Sequence, residues 1–317
     1  MNDDQGAVRE VEVRTGTDGT LRGKLARPAG PVRGGVVALH PACNGSLDNF
    51  LIRHLAVVLP ARGIAVLRYD RRPDPAPDQP APLPDQAEDA LAAAGLLRAH
   101  CGRVPVGLWG FGQGGWAAAL AAARAEAEIA FLILVSVAGV SPALQKRYYT
   151  AQSLRRAGYG DRDVAELLEL RTAYESYLRG ELDLASAQQH IDAVADRPWF
   201  GLAQVEHRLA PAAGWPDLDF DPYEAFGTVR CPLLLFYGEE DENLSTDKSI
   251  EQWRRIALAA AGEGVSIVRL PIGTTHVPTT GPGDDADSIS PEYTRELTSW
   301  LSGRLASLAS VGAGEPN

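Results

Sequence analysis

One short stretch of the sequence, residues 107–120 (GLWGFGQGGWAAAL), has the layout of a catalytic turn. An apolar strand leads into the segment GFGQG at 110–114, and an alanine-rich helix follows. In the pattern G-x-S-x-G, a sharp turn of this kind presents a nucleophilic serine between a strand and a helix. Here the central position is Gly112, which has no side chain that could attack a carbonyl. The stretch therefore predicts the turn without its nucleophile.

Two further stretches carry an acid and a base. Asp241 follows an apolar run typical of a buried strand (LLLFYGEEDENL), and His276 follows the next strand (RLPIGTTHVPTT). An aspartate that orients a histidine makes the imidazole a competent general base. Because ligands of open α/β sheets bind beyond the carboxyl ends of the strands, the order turn, acid, histidine predicts one site built from three distant segments.

With these motifs the sequence resembles the α/β-hydrolase superfamily, in the style of dienelactone hydrolases and prolyl-oligopeptidase-like esterases. The matching segments are LHPACNG, ARGIAVLRYDRR, GLWGFGQGGW, CPLLLFYGEEDE and GTTHV, within residues 10–140 and 228–305. The resemblance implies a triad in the order nucleophile, acid, histidine. The chain departs from that pattern at Gly112, where the family has its serine. Covalent acyl-enzyme chemistry at this position is therefore not expected.

The resemblance also implies an oxyanion hole made of two backbone N–H groups. One belongs to Gln113, at the start of the helix, and the other to Ala42, in the loop HPACNG. Such donors stabilise an enolate as well as a tetrahedral oxyanion. A general base beside these donors, without a nucleophile, is suited to removing a proton next to a carbonyl group.

Three functions remain open on this evidence. The first is a lyase, in which His276 takes the proton, Asp241 holds its tautomer and a leaving group such as acetate departs, in antibiotic or other specialised-metabolite biosynthesis. The second is an esterase or thioesterase in which His276 activates water or Cys43 is the nucleophile. The third is a non-catalytic binding protein, in which Gly112 relaxes the turn of an inactive hydrolase fold. No cofactor or metal is expected.

Several residues around the predicted site have two interpretations. Cys43 is either a nucleophile or a small buried hydrophobe, as free cysteines usually are. Tyr149 and Trp116, together with Tyr148, either line a substrate pocket or belong to the core. His40 ends a buried strand, where the resemblance implies a histidine that supports the loop that follows it.

Short apolar runs alternate along the chain with helical segments, and these elements must position the residues of the site. This alternation predicts an α/β fold with a doubly wound, mostly parallel sheet. Residues 1–140 and 228–317 are predicted to form the core, and residues 141–227, which are helical and lack a strand pattern, a helical cap. Asp70 and Arg71 follow a buried strand and resemble the strand-end pair of the family, which implies that they brace the crevice. Asp85 and Glu88 form a D-x-x-E pattern that predicts a helix start.

Composition and charge exclude some classes of function. The formal net charge of −11 argues against nucleic acid or an anionic membrane surface as a partner, since both require basic patches. The three cysteines form no CxxC pair, so a disulfide framework is not expected. The first residues lack an apolar signal region, and no apolar run approaches the ~18 residues of a membrane span. We expect a cytoplasmic protein with a small-molecule substrate, and a homodimer is compatible with the sequence.

Overall fold

The computed structural model describes residues 8–16, 19–42, 45–74, 81–125, 128–211, 214–239, 241–260, 264–271, 278–280, 285 and 287–312. Within these ranges the chain forms one eight-stranded sheet. Its strands are β1 (Val8–Arg14), β2 (Thr20–Ala26), β3 (Gly34–Leu39), β4 (Ile64–Tyr69), β5 (Val106–Phe111), β6 (Leu132–Val135), β7 (Leu233–Gly238) and β8 (Val265–Leu270).

The sheet is mostly parallel, as predicted. Its strand order is β1-β2-β4-β3-β5-β6-β7-β8. The first two strands form an antiparallel hairpin, β2 also pairs antiparallel with β4, and all later pairs are parallel. The order reverses between β3 and β5, so the loops after these two strands meet at the switch point where open α/β sheets bind ligands.

The central strands are apolar along their whole length because helices cover both faces of the sheet. Every residue of β3, β5, β6 and β7 is buried. Outside the sheet the chain forms α1 (Phe50–Val58), α2 (Leu83–Cys101), α3 (Gln113–Arg124), α4 (Pro142–Arg156), α5 (Asp161–Leu178), α6 (Leu184–Asp192), α7 (Pro222–Phe226), α8 (Thr246–Ala260) and α9 (Pro291–Gly312), with short 3-10 helices at Pro60–Arg62 and Phe200–Leu202.

The helices divide between two apolar layers. Buried residues of α2, α3 and α8 pack on one face of the sheet, and buried residues of α1 and α9 pack on the other. This is the doubly wound arrangement expected from the sequence. Among the described residues, no helix combines the length and the apolar character that crossing a membrane requires.

Residues 141–227, which we call the cap segment, connect β6 to β7 and contain helices α4 to α7. The described part of this segment is helical or irregular and contributes no strand to the sheet. Two apolar clusters hold its helices together, one around Leu154, Leu167 and Trp199 and another around Tyr177 and Leu218. The division of the chain into core and cap domains stays a prediction.

The predicted start of α2 is wrong by two residues. The helix begins at Leu83, before Asp85, with Pro84 in its first turn, where a proline is tolerated. The Leu83 N–H donates to Asp217 Oδ2 at 2.7 Å, so a distant cap-segment residue satisfies the helix end. Asp85 instead forms an ion pair with Arg72 at 2.9 Å. The local D-x-x-E pattern predicted the wrong helix start because the residue that caps the helix, Asp217, lies far away in sequence.

Candidate active site

A sharp turn at Gly112 joins β5 to α3. Gly112 has φ 53° and ψ −120°, a conformation that L side chains rarely adopt, and α3 begins at the next residue. The Gly112 N–H donates to the carbonyl of Val135 on β6 at 3.0 Å, and the Gly115 N–H donates to the carbonyl of Gly112 at 3.0 Å. These bonds fix the turn at the carboxyl edge of the sheet, facing the end of β6.

The glycines after the turn allow α3 to approach the sheet closely. A Cβ atom on Gly114 would lie 2.5 Å from the carbonyl oxygen of His40, and one on Gly115 would lie 2.1 Å from a methyl group of Val137. Real Cβ atoms essentially never come so close to other heavy atoms. The pattern G-x-G-x-G-G thus encodes both the turn and the close packing of the helix that follows it.

The space at Gly112 itself is open. A Cβ atom there would have Pro41 Cβ, at 3.9 Å, as its near neighbour, which is an ordinary contact. The position could therefore hold a small side chain at the cost of backbone strain alone. Since glycine carries no hydroxyl or thiol, the turn as it stands supplies no nucleophile.

Backbone donors lie beside the turn. Gln113 is the first residue of α3, so no helical carbonyl can accept its N–H. The amino end of the twelve-residue helix also favours negative charge at this point. Ala42, the other predicted donor residue, lines the same cavity as Gly112 and Gln113. The elements therefore bring these three predicted site residues together.

The loop around Ala42 is held by residues that follow β4. Asp70 Oδ1 accepts from the Leu47 N–H at 2.8 Å, and Asp70 Oδ2 accepts from Arg22 Nε at 2.8 Å. The Arg71 N–H donates to the carbonyl of Gly45 at 2.7 Å, and Arg71 Nη1 donates to Gln113 Oε1 at 3.0 Å. Asp70 and Arg71 thus brace the crevice as expected, by tying the loop after β3 to the start of α3.

His40, the residue after β3, is buried and lies edge-on to the ring of Tyr69, with 5.3 Å between the ring centroids. Burial lowers the pKa of His40 to about 4, although a hydrogen bond to the Tyr69 backbone acts in the opposite direction. His40 is therefore neutral at pH 7. These contacts fit the supporting role expected for it.

Asp241 lies just beyond β7 and is 5% exposed. Burial raises the pKa of Asp241 to about 6, while the Asn243 N–H, the Ser136 hydroxyl and the Leu244 N–H partly offset that rise. The Asn243 N–H donates to Oδ1 at 2.8 Å. The other oxygen, Oδ2, is buried and has no hydrogen-bond partner in the part of the chain that the structure describes. At pH 7 the group is a carboxylate with an unused acceptor atom.

Two predicted site residues, His276 and Cys43, lie outside the described residues. The pairing of His276 with Asp241 and the reactivity of Cys43 therefore stay predictions. The described residues that flank these segments are Ala42 and Gly45 for Cys43, and Pro271 and Pro278 for His276. Asp241 Oδ2 is the atom to which a ring N–H of His276 would donate if the two residues pair.

A cavity of about 380 Å³ lies between the sheet edge and the cap segment. This volume is within the range of small-molecule sites. Its floor is formed by residues from the ends of β3, β5 and β6 and from α3, namely Pro41, Ala42, Gly112, Gln113, Trp116 and Ser136. Its roof is formed by cap-segment residues, among them Gln145, Lys146, Tyr149, Gln204 and Trp215.

Trp116 and Tyr149 both line this cavity. Trp116 is also nearly buried, and its indole N–H donates to the carbonyl of Ala138 at 2.7 Å, so it serves the core as well. Tyr148 is not among the lining residues. Burial raises the pKa of Tyr148, and the negative charge of Asp241 raises it further. The pocket interpretation therefore applies to Trp116 and Tyr149.

Sequence reasoning missed several residues of the cavity, among them Ser136, Lys146 and Gln204. Ser136 and Gln204 are non-glycine residues with positive φ, 47° and 52°. Strained backbone of this kind costs about 1–3 kcal/mol and is concentrated at functional sites. Ser136 could have been noticed as the first polar residue after the apolar run FLILV. No pattern in the neighbouring sequence indicates a role for Gln204.

The described residues do not build a metal centre. Within the ranges that the structure covers, no three His, Cys, Asp or Glu side chains form a group that could bind a metal ion. The described side chains of the site are instead an acid, amides, a hydroxyl, an ammonium group and aromatic rings. These groups can bind and polarise a carbonyl compound and orient a base.

Comparison with known proteins identifies the family of this chain. A family profile described as "Alpha/beta hydrolase family" matches residues 36–286. No curated protein matches the sequence. The chain is similar to the structure of proline iminopeptidase from Mycobacterium smegmatis, with 15% identity, a TM-score of 0.60, and coverage of 95% of this chain and 100% of that one.

Two other solved structures are also similar to this chain. A thermostable carboxyl esterase from Bacillus coagulans has 18% identity and a TM-score of 0.58, over 94% of this chain and 99% of that one. Dienelactone hydrolase from Anabaena variabilis has 15% identity and a TM-score of 0.52, over 96% of this chain and 98% of that one. At these identities the likeness establishes the fold.

Proposed function

Because this chain belongs to the alpha/beta hydrolase family, we propose that it is an enzyme of that fold which acts on a carbonyl-bearing small molecule without forming a covalent intermediate. The observation that carries the proposal is Gly112, which occupies the positive-φ turn on the cavity floor and has no nucleophilic atom. The chain still has the backbone donors of Gln113 and Ala42 beside the turn, and the carboxylate of Asp241. The chemistry that these groups favour is proton transfer next to a stabilised oxyanion.

The reaction that we propose is elimination. The substrate's carbonyl oxygen accepts hydrogen bonds from the N–H groups of Gln113 and Ala42. His276 removes a proton from the adjacent carbon, and the electron pair of that C–H bond forms an enolate. The enolate then collapses to an α,β-unsaturated carbonyl compound as the C–O bond to a leaving group such as acetate breaks. The proton passes from His276 to solvent or to the departing group.

Asp241 serves the base rather than the substrate. Its carboxylate accepts the second ring N–H of His276, fixes the tautomer and stabilises the imidazolium that forms. This role requires the ionised form, which predominates above a pKa of about 6. Activity should therefore decline as the pH falls below that value. A role in antibiotic or other specialised-metabolite biosynthesis is part of the same proposal, since such pathways use eliminations of this class.

Ester hydrolysis is a second candidate, and the carboxyl esterase among the similar structures favours it. In this reaction His276 takes a proton from water, and the hydroxide adds to the ester carbonyl. The same N–H groups hold the tetrahedral oxyanion, which collapses as the alkoxide leaves and takes the proton from His276. Attack by Cys43 instead of water would give an acyl-thioester. A non-catalytic binding protein is the remaining alternative.

The two reactions break different bonds, and isotopic oxygen distinguishes them. A β-acetoxy ketone is incubated with the protein in ¹⁸O-labelled water, and the released acetate is examined by mass spectrometry. Elimination breaks the bond between the alkyl carbon and oxygen, so the acetate stays unlabelled. Hydrolysis places one labelled oxygen in the acetate. Unlabelled acetate together with the unsaturated ketone is the expected result. Labelled acetate, or no turnover above the rate without protein, would overturn the elimination proposal.

A further inference from the structure

The side-chain amide of Gln113 lies at the floor of the cavity. Gln113 is only 7% exposed and is among the residues that line the cavity. Its backbone N–H is one of the donors in the proposed reaction, but its side chain has no part in that reaction. A buried amide requires partners for its oxygen and for its two N–H groups. The partners of this amide therefore indicate what the cavity binds.

Arg71 fixes the orientation of the amide. Arg71 Nη1 donates to Gln113 Oε1 at 3.0 Å. Because a guanidinium group has donors only, the amide oxygen faces Arg71 and the amide nitrogen lies on the other side. Gln113 lines the cavity, and Arg71 is not among the described residues that do so. The amide nitrogen is therefore the polar atom of this side chain that is left to the cavity.

Arg71 is itself held in place. Its Nη2 donates to both carboxylate oxygens of Asp74, each at 3.1 Å, and its backbone N–H donates to the carbonyl of Gly45 at 2.7 Å. The side chain of Arg71 is 11% exposed. The chain of hydrogen bonds that runs from Asp74 through Arg71 to Gln113 fixes the amide and polarises its N–H groups.

The amide nitrogen of Gln113 has no acceptor in the protein, as far as the described residues show. The hydrogen bond of this side chain to another described residue is the one that its oxygen accepts from Arg71. Two N–H donors thus remain beside the turn at Gly112, next to the backbone N–H of the same residue. A ligand oxygen that accepts from Nε2 would use donors that the described protein leaves unused.

We propose that the substrate is a β-dicarbonyl compound and that Gln113 binds both of its carbonyl oxygens. The inference rests on the proposed function, because the first oxygen is the one held by the backbone N–H groups of Gln113 and Ala42. The second oxygen accepts from Gln113 Nε2. The two oxygens must lie close together because their donors belong to one residue, and the enolate of a β-dicarbonyl compound has this arrangement.

The second carbonyl group also makes the proton transfer easier. His276 removes the proton from the carbon between the two carbonyl groups, and both oxygens share the electron pair of that C–H bond. Such a proton is far more acidic than one next to a single carbonyl group, which brings it closer to the range in which an imidazole base is effective. The electron pair then forms the new C=C bond as the C–O bond to the leaving group on the neighbouring carbon breaks. Hydrogen bonds to charged acceptors are the stronger ones, so both donor sets favour the enolate.

A binding experiment tests the contact without elimination. Acetylacetone, a β-dicarbonyl compound without a leaving group, is titrated into the protein in weakly alkaline buffer, and the ultraviolet absorbance of its enolate is followed. Gln113→Met, which has no donor on a side chain of similar length, should weaken enolate binding by roughly 10-fold or more. Gln189→Met, at an exposed position of α6, should leave it unchanged. Equal affinity in the two variants, or no enolate binding by the wild type, would overturn the proposal.

Gln113→Glu separates the lost donors from the lost contact with Arg71. Its carboxylate still accepts from Arg71 but has no N–H group, and its charge would repel the enolate. Enolate binding should therefore be weakened at least as much as in Gln113→Met, while the unfolding curve shows that the variant is folded. Enolate binding by Gln113→Glu as tight as that of the wild type would overturn the proposal.

A matched pair of substrates tests the role of the amide in the reaction. One is a β-acetoxy ketone, and the other is the same ketone with an ester group on the carbon that loses the proton. Rates are measured above those without protein. Gln113→Met should lower kcat/KM for the dicarbonyl substrate by roughly 10-fold or more. The loss for the simple ketone should be smaller, because the backbone donors that hold its oxygen are unchanged.

The two experiments separate the failure of this inference from that of the proposed function. If neither substrate eliminates acetate while enolate binding still depends on Gln113, the elimination proposal fails and the dicarbonyl site stands. If both substrates eliminate acetate and Gln113→Met affects them equally, the elimination proposal stands and the dicarbonyl site is wrong.

Discussion

Gly112 combines a backbone conformation that favours glycine with open space in front of it. A serine would therefore fit, at a strain cost of about 1–3 kcal/mol. If His276 is the base beside the turn, a hydroxyl at this position would be activated for attack on an ester. In the mechanism that we propose, this residue decides between covalent catalysis with a hydroxyl and proton transfer without one.

The first prediction follows from that space. Gly112→Ser should acquire activity on a small activated ester, with a burst of product as the new hydroxyl is acylated. The wild type should show no burst. Rapid-mixing absorbance measurements of the released alcohol check both statements.

Gly112→Ala is the matched control for this experiment. It has the same backbone strain as Gly112→Ser and no hydroxyl, so it should lose similar stability and gain no activity. A burst from the wild type, or a well-folded Gly112→Ser protein without any gain, would contradict the site as described.

The second prediction concerns the buried carboxyl of Asp241. Its pKa is raised from 3.8 to about 6, mainly by burial, which corresponds to about 3 kcal/mol. Between these values the folded state binds more protons than the unfolded state, so the free energy of unfolding falls as the pH rises. Asp241→Asn lacks this titration. Relative to the wild type, the variant should gain up to about 3 kcal/mol of stability between pH 4 and pH 7.

Denaturant unfolding at several pH values measures that difference. Activity should be lost in the same variant, because a neutral amide cannot stabilise the imidazolium. The difference in stability between Asp241→Asn and the wild type should change with pH in this direction. No change with pH, or a change in the opposite direction, would contradict the conclusion that burial destabilises the ionised form of Asp241.

At the scale of elements, the site depends on how closely α3 approaches the ends of β3 and β6. Gly114 lies against the His40 carbonyl, so the position of the helix leaves no room for a methyl group. The loop after β3 is fixed by Asp70 and Arg71 on one side and by His40 on the other. The predicted oxyanion donors are thus carried by two elements that touch each other directly.

The third prediction tests that contact. Gly114→Ala should destabilise the protein by about 1–3 kcal/mol or more, because the added methyl group meets backbone that cannot move aside. Gly95→Ala, at an exposed position of α2 with no atom within 4 Å of the added Cβ, should instead stabilise it by about 0.5–1 kcal/mol. Thermal or denaturant unfolding compares the two variants. Similar effects for both substitutions would show that α3 does not pack against β3 as described.

The helices and strands were predictable to different degrees. Apolar runs such as GGVVAL and LLLFYG are buried on both faces of the sheet, so their composition alone marks them as central strands. The start of α2 was not predictable, since Asp217 caps it from 134 residues away. Ser136 was passed over for a related reason, because its strained conformation and its proximity to Asp241 arise only when β6 and β7 pair. Local patterns identify elements, and tertiary contacts decide their ends.

At the scale of the molecule, the predicted α/β class and mostly parallel sheet are confirmed, because alternation of strands and helices leaves few arrangements that bury both faces. The cavity was predictable in its floor, where Gly112, Gln113 and Ala42 meet at the switch point. Its roof was not, since Lys146 and Gln204 are 58 residues apart and meet only when the cap segment folds. The roles of His276 and Cys43 stay predictions.

The central claim is that His276 is the base of a non-covalent reaction. The measurement that tests it most directly is the rate of acetate release from a β-acetoxy ketone by His276→Ala, compared with His190→Ala, at an exposed position of α6. A general base contributes roughly 100- to 10,000-fold, so His276→Ala should lose that factor in kcat while its unfolding curve matches that of the wild type. His190→Ala should keep full activity. Retention of activity in a folded His276→Ala protein would contradict the account.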